Sequence, residues 1–232
     1  NVHRVDGPGD ESLPEARSIE SKNPENPLNS ILQDTVSGGG QLLVFVSTRA
    51  STKKEARELS QHAREMVADG SYGLGPEDAE NWDRLADSIL RKEDSPQTVK
   101  SLAESLRGGV AFHHAGLTPK HRNLVEKAFR RGDLLCVVAT PTLAQGVNLP
   151  SRTVVIRDCK RWDASQGRPS LLPIREVLQM MGRAGRPKYD DVGESWILVK
   201  EHDPYSPDSS EKLVERYLHG EVEEVSSKLS DL

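Results

Sequence analysis

Residues 42–47 read LLVFVS, and the fold turns on them. Five apolar residues follow one another with no polar alternation. A strand wetted on one face would alternate, so this run predicts a strand buried on both faces, as in a parallel sheet covered by helices. Upstream, residues 28–37 predict a short helix that Gly38, Gly39 and Gly40 stop. No Lys-Ser or Lys-Thr follows those glycines, so they read as a helix stop and not as a phosphate loop. Downstream, Thr52 and Glu55 form a capping box that opens a helix, with Ala56, Leu59, Ala63, Met66 and Val67 at helical spacing. After a loop at 72–75, Ala79, Trp82, Leu85, Ala86, Ile89 and Leu90 mark a second helix, and Val99, Leu102, Ala103 and Leu106 a third.

The same punctuation continues to the end. Residues 110–112 form a short strand. Thr118 and Pro119 open a helix with Leu124, Val125, Ala128 and Phe129 on its apolar face. LLCVVA (134–139) and TVVIR (153–157) are two more buried strands. Pro173 opens a helix predicted to run to Gly185 and Pro187, SWILV (195–199) is a last strand, and residues 208–219 form a terminal helix. Strands alternating with helices imply an α/β fold with a mostly parallel central sheet flanked by helices. Residues 1–26, with Pro8, Pro14 and Pro24, read as an extended linker or a peripheral strand; 27–203 as the domain; 204–232 as the terminal helix and the start of a truncated following unit.

The 232 residues suffice for one domain, and 29% charged against 35% hydrophobic residues implies exposed segments around a compact core. No apolar run nears the ~20 residues a membrane helix needs, and the N-terminus has no apolar signal core, so a soluble, intracellular protein is expected. The net charge of −5 tells against a nucleic-acid partner on composition alone, so local sites must carry that reading. Cys136 and Cys159 are expected to be buried thiols. His113 and His114 are adjacent on a strand end and point to opposite sides, so no shared metal is expected.

Ligands of such sheets bind beyond the carboxyl ends of the strands, which directs attention to Ser47 and Thr48, residues 113–117, residues 140–150 and the helix of residues 179–186. At 100° per residue, Ile174, Val177, Leu178 and Met181 share one face of that helix, and Gln179, Arg183 and Arg186 fall together on roughly the opposite one. Gly182 and Gly185 interrupt the stripe at a cost of about 1 kcal/mol each, which implies close approach to something planar or anionic. Arginine suits a polyphosphate because it is always charged and bonds bidentately. In ATPTLAQGVNLPS (139–151), Thr140 and Thr142 are able to donate to phosphate oxygens, Gly146 admits close backbone approach, and Asn148 is able to bond a sugar hydroxyl. Ser47 and Thr48 follow a strand and precede a helix, where such hydroxyls are most often plain helix caps; a phosphate of a bound strand would use the same groups.

Together these segments resemble the motor motifs of superfamily-two helicases: VFVST (44–48) is similar to motif IV, FHHAGL (112–117) to the accessory motif after it, ATPTLAQGVNLPS to motif V, and QMMGRAGR (179–186) to motif VI. The combination resembles the Ski-type branch and, within it, the archaeal DNA-repair helicases related to the helicase portion of DNA polymerase theta. The resemblance implies a second RecA-like domain in which Arg183 and Arg186 face the γ-phosphate of ATP, Arg186 as the finger. Gln179 would order the attacking water or link the two domains. Gly146 and Asn148 would touch the nucleotide. Ser47, Thr48, Thr140 and Thr142 would hold phosphates of the tracking strand, with His114 and Gly116 along the same groove.

No G-x-x-x-x-G-K-[ST] and no D-E-x-H occurs in the sequence, so the resemblance places the grip on ATP and Mg2+ in a preceding first RecA-like domain, with a winged-helix domain after this chain. It implies 3′ to 5′ inchworm movement on single-stranded or forked DNA, and negligible ATP hydrolysis by this piece alone. RNA unwinding within the same branch stays open, as does a helicase-like binding module without catalytic use. A metabolic α/β enzyme would show a dinucleotide fingerprint, and none appears.

Overall fold

The computed structural model describes residue 19 and residues 26–90, 96–186, 189–199 and 209–222. Most of the predicted linker and most of the segment after Glu221 lie outside the described residues.

Five strands form one parallel sheet: β1 (Leu42–Phe45), β2 (Val110–His113), β3 (Cys136–Ala139), β4 (Thr153–Ile156) and β7 (Glu194–Ile197), in the order β2-β3-β1-β4-β7. β1 lies at the centre, Leu43 opposite Val137 on one side and Val154 on the other. Every residue of β1 to β4 is buried, as the unbroken apolar runs require. Cys136 and Cys159 are buried free thiols.

Helices α1 (Pro27–Ser37), α2 (Arg49–Ala68), α3 (Pro76–Ile89) and α4 (Gln97–Leu106) precede β2; α5 (Pro119–Arg131), α6 (Thr142–Gly146) and α7 (Ile174–Met181) join the later strands. The chain crosses the sheet one way from β1 to β2 and the other way from β2 to β3, β4 and β7. Right-handed crossovers therefore put α2, α3 and α4 on one face and α5, α6 and α7 on the other. Packing agrees: α2 lies on α3 and α4, and α6 on α7. The result is the three-layer RecA-like architecture.

Two local expectations fail for physical reasons, and a third feature had not been expected at all. The first concerns the start of α2, which is capped by Thr48, whose Oγ1 accepts from the Ser51 N–H at 3.0 Å. Thr52 lies inside the helix, its hydroxyl donating to the Arg49 carbonyl at 2.7 Å, and buried Glu55 pairs with Arg157. The Thr52–Glu55 box is thus an interior turn facing the core.

The second concerns α7, which ends at Met181. Gly182 caps it, donating to the Leu178 carbonyl at 2.8 Å, so Arg183 and Arg186 are not on a helix. Its buried face is Ile174, Val177 and Met180, whereas Leu178 is 40% exposed.

The third is a hairpin unforeseen in the sequence, β5 (Lys160–Asp163) paired antiparallel with β6 (Arg168–Leu171) beyond the carboxyl end of β4. Its strands are mostly polar and lack alternation, so only turn chemistry betrays it: the Asp163 carboxylate accepts from the Ser165 N–H at 2.9 Å and from its hydroxyl at 2.6 Å.

The terminal helix α8 (Ser210–Val214) continues into a wide π turn (Glu215–His219) and joins the main core. Tyr217 is buried there, its hydroxyl donating to the Leu172 carbonyl at 2.9 Å.

Candidate functional site

The expected site residues separate to two edges of the sheet. Ser47, Thr48, His114, Gly116, Thr140 and Thr142 follow the carboxyl ends of β1, β2 and β3. The arginines do not join them there. Arg183 and Gly185 bracket Ser151, just before β4: Ser151 N–H donates to the Arg183 carbonyl at 2.9 Å and Gly185 N–H to the Ser151 carbonyl at 2.7 Å. Arg186 Nη2 donates at 3.1 Å to the carbonyl of Gly39, just before β1. Both arginines thus stand at the amino edge, which corrects the expectation of a single carboxyl-edge site. The cause is chain direction: α7 starts beyond the carboxyl end of β4 and returns along it.

At the carboxyl edge, the Ser47 N–H and hydroxyl both donate to the Asp158 carboxylate, at 2.9 and 3.1 Å. Thr48 is exposed at the start of α2. The hydroxyls of Thr140 and Thr142 lie 3.0 Å apart, Thr142 in the open. Arg49 occupies the first turn of α2, which contains no acidic residue, and Lys53 follows one turn later. Positive charge there adds to the positive helix end instead of offsetting it, and this was the signal by which sequence reading could have found both.

His114 is buried, so its ring lies beneath the surface of the carboxyl edge. It stacks on Phe112 with centroids 5.3 Å apart, and its Nδ1 accepts from the Gly116 N–H at 3.0 Å. Burial first, then Lys53, Arg49 and His113, lowers its pKa from 6.5 to about 4. The neutral ring therefore contributes stability that is present above about pH 6.5 and lost as pH falls towards about 4. Its NMR ring resonances are expected to titrate near pH 4, and a midpoint at the ordinary value would contradict the buried neutral ring. His113 points the other way, to Glu126 at 3.0 Å.

At the amino edge, Arg183 Nη1 donates to Asn148 Oδ1 at 2.9 Å and Nη2 to the Ala144 carbonyl; its Nε is buried with no partner among the described residues. Gly146 ends α6 between those two acceptors in sequence, and Gln179 lies exposed on α7. Arg186 is held by Asp190, Nε to Oδ2 and Nη2 to Oδ1 both at 2.8 Å. Gly185 takes φ +88°, and a Cβ on Gly193 would lie 2.2 Å from the Gly185 nitrogen. The arginine loop therefore packs backbone to backbone on the entry to β7, and only glycine fits at either position.

Residues 90–188 match the family described as helicase conserved C-terminal domain. The chain is 40% identical over 215 residues, 93% of its length and 27% of the relative's, to "ATP-dependent DNA helicase Hel308" of Methanocella arvoryzae. It is also 40% identical to the proteins of that name from Pyrobaculum calidifontis, over 99% of this chain and 28% of the relative, and Pyrococcus horikoshii, over 89% and 26%. The chain thus spans about a quarter of the length of these curated relatives. Family match, shared identity and parallel sheet agree: residues 90–188 carry the helicase conserved C-terminal domain, within a chain similar to these helicases over most of its length.

Proposed function

We propose that this chain is the second motor domain of an ATP-dependent DNA helicase or translocase moving 3′ to 5′ on single strands and forks. One observation carries the reading. Residues 140–151 span the domain, from the Thr140 and Thr142 hydroxyls at the carboxyl edge to Asn148, hydrogen-bonded to Arg183, at the amino edge. A single short segment thereby ties a surface suited to strand phosphates to one suited to a nucleotide. The relatives' printed name supports DNA as the strand.

The amino edge suits a polyphosphate approached from one side. It offers the guanidinium groups of Arg183 and Arg186, and the Asp190 carboxylate beside Arg186 is already occupied. ATP and Mg2+ are therefore held mainly by the first RecA-like domain of the same parent chain, and a winged-helix domain follows. When bound, Mg-ATP supplies the phosphoryl group transferred to water. Arg186 neutralises charge as that transfer proceeds, Arg183 anchors the Asn148 loop and adds charge, and Gln179 orders water or bridges the domains. Gly146 and Asn148 meet the nucleotide. Thr48, Thr140 and Thr142 take strand phosphates with Arg49 and Lys53. Ser47 and Gly116 hold the turns that present them, over the buried His114 ring.

In the full-length chain, ATP hydrolysis is expected to rise on adding single-stranded DNA, and the isolated 232-residue chain to hydrolyse ATP negligibly. Stimulation by RNA alone would overturn the DNA reading, and brisk turnover by the isolated chain would overturn the split site.

A further inference from the structure

Asp190 is the least expected charge at the amino edge. Its side chain is 1% exposed, and a buried carboxylate is costly unless paired and hydrogen-bonded. Here one residue satisfies it: Asp190 accepts from the Arg186 backbone N–H at 2.9 Å, from Nε at 2.8 Å and from Nη2 at 2.8 Å. Nη2 also donates to the Gly39 carbonyl, and the Tyr189 ring lies 5.8 Å from the guanidinium carbon. A guanidinium has five N–H groups in a rigid fork. Three are fixed inward, and among the described residues the two on Nη1 have no partner. The Arg186 side chain is 19% exposed.

A long arginine side chain left loose would sample many positions. Transition-state charge is stabilised efficiently only by a donor already in place, and a 1 Å displacement costs about 10²-fold in rate. A buried acid on the inner edge of the fork holds the outer edge in one place. It also favours the charged guanidinium, whose pKa is raised chiefly by its hydrogen bond to Asp190. Arg152 lies close enough to lower the Asp190 pKa further, so the neighbourhood keeps net positive charge despite the carboxylate.

We propose that Asp190 is a positioning residue for ATP hydrolysis, clamping Arg186 so that its Nη1 edge faces the nucleotide; this rests on the finger reading of Arg186 above. The test is a double-mutant cycle in the full-length chain, assayed as single-stranded-DNA-stimulated ATPase with thermal melts alongside. Asp190→Ala is expected to lower kcat about 10–100-fold, by the displacement argument, and to leave the KM for ATP little changed. Asp190→Asn, which keeps the size and one acceptor, should recover part of the loss, and it carries the test if the alanine variant does not fold. In an Arg186→Ala background, Asp190→Ala should cost almost nothing more. An equal loss in both backgrounds would show that Asp190 acts through the fold, and unchanged or faster turnover in Asp190→Ala would show a restraint or no role; either overturns the clamp. Native turnover in Arg186→Ala alone would instead sink the finger reading, a separate outcome.

Discussion

Arg186→Ala in the full-length chain is expected to reduce DNA-stimulated ATP hydrolysis by about 10³-fold or more, the scale of arginine fingers in other nucleotide hydrolases. The loss should fall on kcat with ATP binding retained, because an interaction made only as the phosphoryl group transfers does not stabilise the bound ground state. A confounding effect has to be separated. Removing Arg186 deprives Asp190 of its main partner, and loss of a carboxylate's partner is itself destabilising. Arg186→Lys resolves this: it keeps a positive charge beside Asp190 but lacks the planar fork. Its melting temperature is expected to stay closer to that of the native chain while its turnover stays low. Turnover near native in either variant, with folding intact, would remove Arg186 from the reaction.

The second large effect concerns the carboxyl edge. Arg157, just after β4, pairs with Glu55 on α2 and, at 2.9 Å, with Asp158, which in turn holds Ser47 after β1. Glu55 is 5% exposed and Arg157 28%. Arg157→Ala is expected to destabilise the fold by about 3 kcal/mol, because it strands a buried carboxylate. At roughly 2–4 °C per kcal/mol for a chain of this size, the melting temperature should fall by about 6–12 °C.

The pH dependence follows from Glu55, whose pKa is raised by burial against the opposing pull of Arg157. A carboxyl whose folded value exceeds its unfolded one favours the fold at low pH, and that contribution is lost as pH rises through the folded value. Without Arg157 the folded value climbs further. The variant's deficit should therefore be larger near pH 8 than near pH 5, and a deficit independent of pH would mean that Glu55 is not the stranded group.

Much of this was legible in the chain because burial leaves a local mark. LLVFVS, LLCVVA and TVVIR are unbroken apolar runs, and only a covered parallel sheet accommodates several of them between helices. Thr118 with Pro119 named a helix start correctly, since a cap and a fixed φ are properties of neighbouring residues. The Asn148–Arg183 partnership was foreshadowed by two motifs assigned to one nucleotide, although their contact was not.

The errors share a cause. Periodicity registers which residues recur, but not where a helix stops when the residues beyond it keep the same spacing. Gln179, Arg183 and Arg186 fit a helical face, yet Gly182 ends α7 and Gly185 at φ +88° turns the loop away. Thr52 and Glu55 match a capping pattern, yet burial of Glu55 against Arg157, 102 residues distant, makes them interior.

Local order along the chain was therefore enough to establish the layers, the parallel sheet and the kinds of group available for chemistry. The placement of those groups on two opposite edges, with Arg186 gripped by Asp190 and Gly39, arose from packing. A return helix reverses direction, and contacts between residues far apart in sequence decide where each side chain stops.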